Sequence, residues 1–586
     1  MAVHLADPDN NSSFIKGVFL GEIRESLVFP FPELGAEERE NLSAILDAFR
    51  SWAKENVDPA KQDHDGRFPE NVLRGMVELG LMGLNIPEEY GGFGASAMTF
   101  TRVFGEVGGT DGALAVYFGA HQSIGSKGIT LFGTDDQKKR WLTKCASGEL
   151  IAAFCLTEPG SGSDAQAMRT TAVPSADGKS YTLNGQKIWI SNAGYAGVLT
   201  VFAKVPVEID GKPKQRVTAF IVDAHASGVS LGKIEEKMGI KASDTRSITF
   251  DNLKIPAEDR LGDVGHGFKI ALEILNTGRL GLAAGSARGA RRILDIALAY
   301  AKQREQFGRP IGSFEMIQRK FAVAAAECYA ADAAWMLTAS MMDRGGIDFS
   351  LETAACKVFA SELVFRASSD AMQIAGGIGY SKEFPYEQAL RDSRINMIFE
   401  GTNEVLRALI ALTGLQQPGE HLKAIGKAFR DPLRSIGAIG SFLGGRVKRQ
   451  VVKPVFSQAH AALKEEADQI ATVIHDLAVG VEKLLIAHGK DVIEHQFQQE
   501  RMANVAIDVY LATATLSRAS WAIANKGGVK QAEADLDNAR IFIPLAMRRA
   551  RRHVRALERN QDARLKALAE RALESGSLTV PTPTDG

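Results

Sequence analysis

Between residues 34 and 150, apolar positions recur at helical spacing in Ala/Leu/Glu-rich stretches. The pattern breaks at Pro87 and at Gly91-Gly92, so Glu88-Glu89-Tyr90-Gly91-Gly92 predicts a turn between helices. From 151 to 265 the period shortens to two. Segments 198–205, 216–222 and 247–250 predict strands. Asn184-Gly185, set between two β-prone runs, predicts a hairpin turn, because an Asn-Gly pair accepts the positive φ of a two-residue loop. From 266 to 415 the helical period returns. Ile293, Ile296, Ala297 and Tyr300 form one apolar face, and 322–342 and 352–375 behave alike, which predicts a bundle. A glycine-rich basic stretch follows over 416–457, then helical pattern over 458–586. The fold class is mainly α with a central β domain. After an N-terminal extension (1–33) come a helical domain (34–150), an antiparallel β-barrel or sandwich (151–265), a helical bundle (266–415) and, beyond the basic linker, a C-terminal helical domain.

Composition narrows the function classes. The 586 residues carry a net charge of −1, so no global attraction to nucleic acid follows. The run from Arg548 to Arg555 has little aromatic interleaving and reads as a solvated helix face. Four cysteines form no CxxC pair and no zinc spacing, which predicts reduced thiols and no metal. The start lacks the features of a signal or transit peptide, and no run of about eighteen apolar residues occurs. A bacterial cytoplasmic protein is expected, with a mature mitochondrial matrix form as the alternative. Residues 430–453 alternate glycines with apolar side chains and carry six basic residues against Asp431. That composition suits a flexible linker or a peripheral membrane contact.

Candidate chemistry sits in a few segments. In Ile398-Phe399-Glu400-Gly401-Thr402-Asn403-Glu404, a carboxylate follows an apolar run and precedes an apolar helix. It is either a partner for the helix N-terminus or a base whose pKa is raised by burial beside Met397, Ile398 and Phe399, able to deprotonate a weak carbon acid. Phe154 to Asp164 carries glycines and hydroxyls suited to a ligand, but neither a GxGxxG nor a P-loop, so a Rossmann site is not supported. Lys187-Ile188-Trp189-Ile190-Ser191-Asn192 sets an indole and a hydroxyl at a strand end, where the indole stacks on a planar ring or fills the core. Arg304 to Pro310 places an arginine at a helix end, for the dipole or for a phosphate. In Gln373 to Tyr380 the adjacent Gly376 and Gly377 stop a helix or admit a pyrophosphate.

In order and spacing these segments resemble the acyl-CoA dehydrogenase family, and within it the very-long-chain subgroup with an extra C-terminal helical domain. Gly119 to Gly125, Lys237 to Ala242 and the stretch from Gln496 to Ser520 add to the resemblance, which runs from about Phe14 to near the end. It implies the family's fold and an FAD-dependent enzyme of fatty acid β-oxidation. Phe154, Leu156, Thr157 and Ser163 are then expected along flavin and thioester, with Trp189, Ile190 and Ser191 over the isoalloxazine. Thr402 and Glu404 are expected at the cofactor. Arg304, Phe307, Gln373, Gly376 and Gly377 are expected on the neighbouring subunit's FAD, which makes the protein a homodimer. Asn276 and Arg279, with Ser163, Phe399 and Gly401, are expected to position acyl-CoA.

By the same resemblance Glu400 removes the α-proton, the β-hydrogen leaves as hydride to flavin N5, and electron-transferring flavoprotein takes the electrons. Some relatives carry the base on the helix of Arg279. Gly278 stands there in this chain, which leaves the role to Glu400. Ala115 and Gly119 share a helix face and open room for a long acyl chain, whereas Tyr117 and Phe118 narrow it if they point inward. A respiratory-complex assembly scaffold of this fold and an acyl-CoA oxidase are the alternative functions.

Overall fold

The computed structural model describes residues 13–209, 211–428 and 453–578. The expected linker or membrane contact at 430–453 thus lies outside the described residues, apart from Lys453. Among the described residues no helix is long and apolar enough to cross a membrane.

The N-terminal layer is helical, with helices Ala36–Asn56, Ala97–Thr110, Gly112–Gly119 and Asp135–Ala146 its main members. Local chemistry fixes their ends. Asp111 closes one helix and opens the next, its carboxylate accepting from the Leu114 N–H at 2.8 Å. Thr134 and Gln137 form a reciprocal capping box. The segment Glu88–Tyr90 is a single 3-10 turn ending at Gly91 with φ 80°, as the sequence predicts. After Gly119 the helix widens into one π turn, Ala120–Gly125. Buried His121 ties this turn to the next layer. Its Nδ1 accepts from the Ala152 N–H at 2.9 Å, so Nε2 carries the hydrogen and donates to the Met82 carbonyl at 3.0 Å.

The middle layer is one sheet of eight strands: β1 (Ile151–Cys155), β2 (Thr171–Pro174), β3 (Ser180–Ser191), β4 (Ala196–Ile209), β5 (Lys212–Asp223), β6 (Val229–Ile234), β7 (Thr245–Pro256) and β8 (Arg260–Leu261). Their order is β6-β7-β3-β2-β4-β5-β8, with β1 beside β4. Pairing is antiparallel except at β1–β4 and β2–β4. The hairpin expected at Asn184-Gly185 is absent, because β3 runs straight through the pair. Its register against β7 slips between Leu183 and Gly185, where Asn184 stands opposite two β7 residues, Asp251 and Asn252, a bulge of the β7 edge. Gly185 is required there: φ is 149°, and an added Cβ would lie 2.4 Å from the Thr170 hydroxyl. A hairpin pairing lies further on, where Ile209 at the end of β4 pairs with Lys212 at the start of β5.

The third layer is the bundle Gly267–Gln303, Glu315–Arg344, Ser350–Ala375 and Asn403–Ala428, with the short helix Tyr386–Arg394. Gly267–Gln303 crosses Ala97–Thr110 very closely. A Cβ on Gly108 would stand 2.8 Å from the Gly285 Cα. The C-terminal helices Lys464–His488, Gln496–Asn525 and Glu533–Glu558 share one apolar core with the bundle. In it Phe359 meets Phe542 edge-on at 5.8 Å, and the Tyr510 hydroxyl pairs with Thr338 at 2.6 Å. The first helix, Phe14–Leu20, docks on the same core, and Ser13 and the Ile15 amide both donate to Glu352. All four cysteines are buried free thiols. Arg548, Arg552 and Arg555 are solvated as expected, while Arg549 turns to Asp508 at 2.7 Å.

Candidate active site

Where the three layers meet lies a cavity of about 1090 Å³. Glu400 reaches it from a turn between the 3-10 segment Ile395–Met397 and the helix Asn403–Ala428. The turn is left-handed at two successive residues, with φ 60° at Glu400 and 88° at Gly401. For a non-glycine residue this costs roughly 1–2 kcal/mol, so the surroundings must hold it. They do so through its carbonyls. Arg279 Nε donates to the Glu400 oxygen at 3.1 Å, and Lys357 Nζ donates to the Gly401 oxygen at 2.8 Å.

The Glu400 carboxylate is partly buried and has one unsatisfied oxygen. Its Oε2 is buried and has no hydrogen-bond partner. Burial pushes this carboxyl up to about 7, against the pull of Arg279 and Lys357. The burial does not come from the flanking apolar residues, as the local sequence suggests: Ile398 is 47% exposed. It comes from the helix Gly267–Gln303, where an added Cβ on Gly278 would stand 2.9 Å from both Oε2 and the Ile124 side chain. Gly278 thereby keeps open the space in front of the carboxylate. Burial also lowers Arg279, to about 10, with Glu400 opposing.

The opposite wall belongs to the sheet. Leaving β1, the chain lines the cavity with Phe154, Leu156, Thr157 and Ser163. The end of β3 adds Trp189, Ile190 and Ser191. The Ile188 amide donates to the Thr157 oxygen at 3.0 Å and joins the two edges. A buried pair braces them, Lys187 with Glu158 at 2.7 Å, and Lys187 also donates to the Leu156 carbonyl. Trp189 is 63% exposed at φ 56°, so it is not a core residue. An open indole, flanked by the Thr157 and Ser191 hydroxyls, suits a flat heterocycle with polar edge atoms, and the unsatisfied Oε2 faces the same cavity.

Other expected site residues stand elsewhere. Asn276 does not line the cavity; its Oδ1 accepts from Arg279 Nη1 at 2.9 Å and sets that guanidinium. Phe399 and Gly401 do line it. Thr402 and Glu404 lie outside it, where Thr402 accepts from the Val405 amide and starts the helix. Arg304, Phe307, Gln373, Gly376 and Gly377 are exposed on the outer surface. Phe307 and Gly308, both left-handed, turn a small hairpin in which Gln306 pairs with Arg309, and Phe307 is 93% exposed at its tip.

Tyr117 and Phe118 do not narrow the cavity. Tyr117 packs on Phe68 and Tyr195, and Phe118 on Phe100 and Phe104. From the helix Ala97–Thr110, Phe104 lines it instead, with its ring against Gly119, Gly281 and Gly285. The sequence reading missed Phe104 and Lys357. The first carries no motif, and the second is an ordinary lysine until the fold sets it behind the Glu400 turn.

Family comparisons agree with this arrangement. Models of the acyl-CoA dehydrogenase N-terminal, middle and C-terminal domains match residues 39–149, 153–253 and 265–415, and a model of the ACAD9/ACADV C-terminal domain matches 461–578. The mitochondrial very long-chain specific acyl-CoA dehydrogenase of Macaca fascicularis is 40% identical, across 97% of this chain and 90% of its own. Among solved structures, the acyl-CoA dehydrogenase of Bacillus anthracis complexed with FAD superposes with a TM-score of 0.78 at 30% identity, covering 97% of this chain and 95% of that one. The butyryl-CoA dehydrogenase of Megasphaera elsdenii gives 0.62 at 35% identity over 66% of this chain and all of its own. With a fold that follows these proteins from end to end and a buried carboxylate facing an open indole across one cavity, the chain belongs to the acyl-CoA dehydrogenase family of FAD-dependent oxidoreductases.

Proposed function

We propose that this enzyme desaturates long- and very-long-chain acyl-CoA to trans-2-enoyl-CoA in fatty acid β-oxidation, with Glu400 as the base that takes the α-proton. The observation that carries this is the unsatisfied Oε2 of a carboxyl raised to about 7. At an ordinary carboxylate pKa of about 4.3 the group would be a far weaker base. Gly278 leaves room for the α-carbon before it, and Asn276 orients Arg279 beside it. The Glu400 amide is assigned to the thioester carbonyl, where a donor stabilises the charge that develops as the proton leaves. Bound FAD supplies the acceptor for the β-hydride. Phe154, Leu156, Thr157, Ser163, Trp189, Ile190 and Ser191 would hold it on the sheet side, and Thr402 and Glu404, outside the cavity, would meet only a part of the cofactor that extends beyond it.

The chain-length reading rests on the cavity wall. Helix Gly267–Gln303 lines the cavity on every turn from Leu275 to Ile296. From Gly278 to Ile293 that wall runs about 22 Å, room for about seventeen extended carbons at about 1.3 Å each. Gly289 and Ala115 leave space along it, while Gly119 and Gly285 seat the Phe104 ring and Gly108 packs on Gly285.

Electrons are proposed to pass to an electron-transferring flavoprotein. Anaerobic palmitoyl-CoA should bleach the flavin, followed by rapid reoxidation with that flavoprotein and slow reoxidation in air. Fast reoxidation by air alone marks an oxidase instead. The protein is proposed to be a homodimer in which Arg304, Phe307, Gln373, Gly376 and Gly377 reach the partner's FAD. Sedimentation velocity should show a dimer, and Phe307→Ala, far from the cavity, should lose flavin on dilution. A monomer with full flavin content contradicts this.

A further inference from the structure

Lys357 is fully buried on the helix Ser350–Ala375, forty-three residues before the base. Its ammonium donates to two neutral acceptors, the Gly401 carbonyl at 2.8 Å and Asn403 Oδ1 at 2.9 Å. Asn403 in turn donates to Ser361 and Glu362 at 3.1 Å each, so the start of the catalytic helix is fastened to this lysine's own helix. A buried ammonium without an ion-pair partner is costly and needs a compensating charge. The charges that face it are Glu400 from the turn, Arg279 from Gly267–Gln303, Glu404 from the catalytic helix, and Glu362, which is held by Arg407 at 2.8 Å. Burial pushes the ammonium down to about 7, and Glu400 is the strongest opposing influence. Reciprocally, Lys357 is one of two cations that oppose the rise at Glu400.

We propose that Lys357 is a positioning residue of the reaction: it clamps the left-handed turn that presents Glu400 and sets a positive charge behind it that holds the carboxylate ionised. This rests on Glu400 being the base. Lys357→Met removes clamp and charge together. Lys357→Gln keeps an N–H for the Gly401 carbonyl and removes only the charge, so it carries the test if the Met variant does not fold. Both should shift the acidic limb of kcat/KM to higher pH by about one unit, a tenfold loss of rate on that limb. Lys357→Arg should leave the limb in place. An unmoved limb in the Gln variant, with normal flavin content, overturns the electrostatic role.

A second readout needs no turnover. Infrared difference spectra of the holoprotein against Glu400→Gln isolate the Glu400 carboxyl band, whose titration midpoint should rise in Lys357→Gln. A midpoint that rises while Glu400→Gln stays active refutes the base assignment and leaves the lysine's influence standing. A midpoint that stays fixed refutes the lysine's influence whatever the base.

Discussion

Glu400→Gln should fold, retain FAD and lose dehydrogenation, with anaerobic flavin bleaching by palmitoyl-CoA slowed by about ten-thousand-fold. The amide has the shape of the carboxyl but no site for a proton. Wild-type kcat/KM should fall about tenfold per pH unit below about 7, because only the ionised carboxylate is a base. Stability has the opposite slope. The folded protein binds this proton more tightly than the unfolded chain does, so the Glu400 contribution is present at low pH and is lost as pH rises through about 7. The Gln variant should therefore melt no lower than wild type at pH 8. Near-normal bleaching by the variant would falsify the assignment.

Gly289→Leu should convert the enzyme to shorter substrates. A Cβ at Gly289 meets only ordinary contacts, 3.6 Å from Val364 and 3.8 Å from the Gly108 carbonyl, so the helix tolerates it. The added side chain would close the cavity about 16 Å along the wall from Gly278, leaving room for about twelve carbons counted from the α-carbon. Three methylenes of a palmitoyl chain would then lose burial at about 0.8 kcal/mol each, a loss of about fifty-fold in kcat/KM. Octanoyl-CoA should be turned over as before. Equal losses for both substrates would show that the acyl tail runs elsewhere.

Where physical control is local, the sequence is a good guide. Helical period marks 322–342 and 352–375 inside the helices Glu315–Arg344 and Ser350–Ala375, and Glu88–Gly92 is the turn expected. Asn184-Gly185 misleads because a strand opposite a bulge and a hairpin turn can both ask for glycine, and only the pairing with β7 distinguishes them. At Glu400 the local sequence points to a raised carboxyl, but for a partly wrong reason. The distant helix carrying Gly278 packs against it, Arg279 and Lys357 set opposing charges beside it, and sequence distance hides all three. The inward turn of Phe104, rather than Tyr117 or Phe118, depends likewise on glycines of a distant helix.

The close crossing of Gly267–Gln303 and Ala97–Thr110 also constrains how substrate preference can drift. Along this wall Gly108, Gly285 and Gly289 already carry the smallest possible side chain, so nearly every substitution there subtracts space. Phe104, set into the glycine notch, is where space can be added. Divergence at this crossing therefore runs mainly one way: shorter-chain enzymes lie a single mutation away, whereas a return to long chains requires restoring a specific glycine.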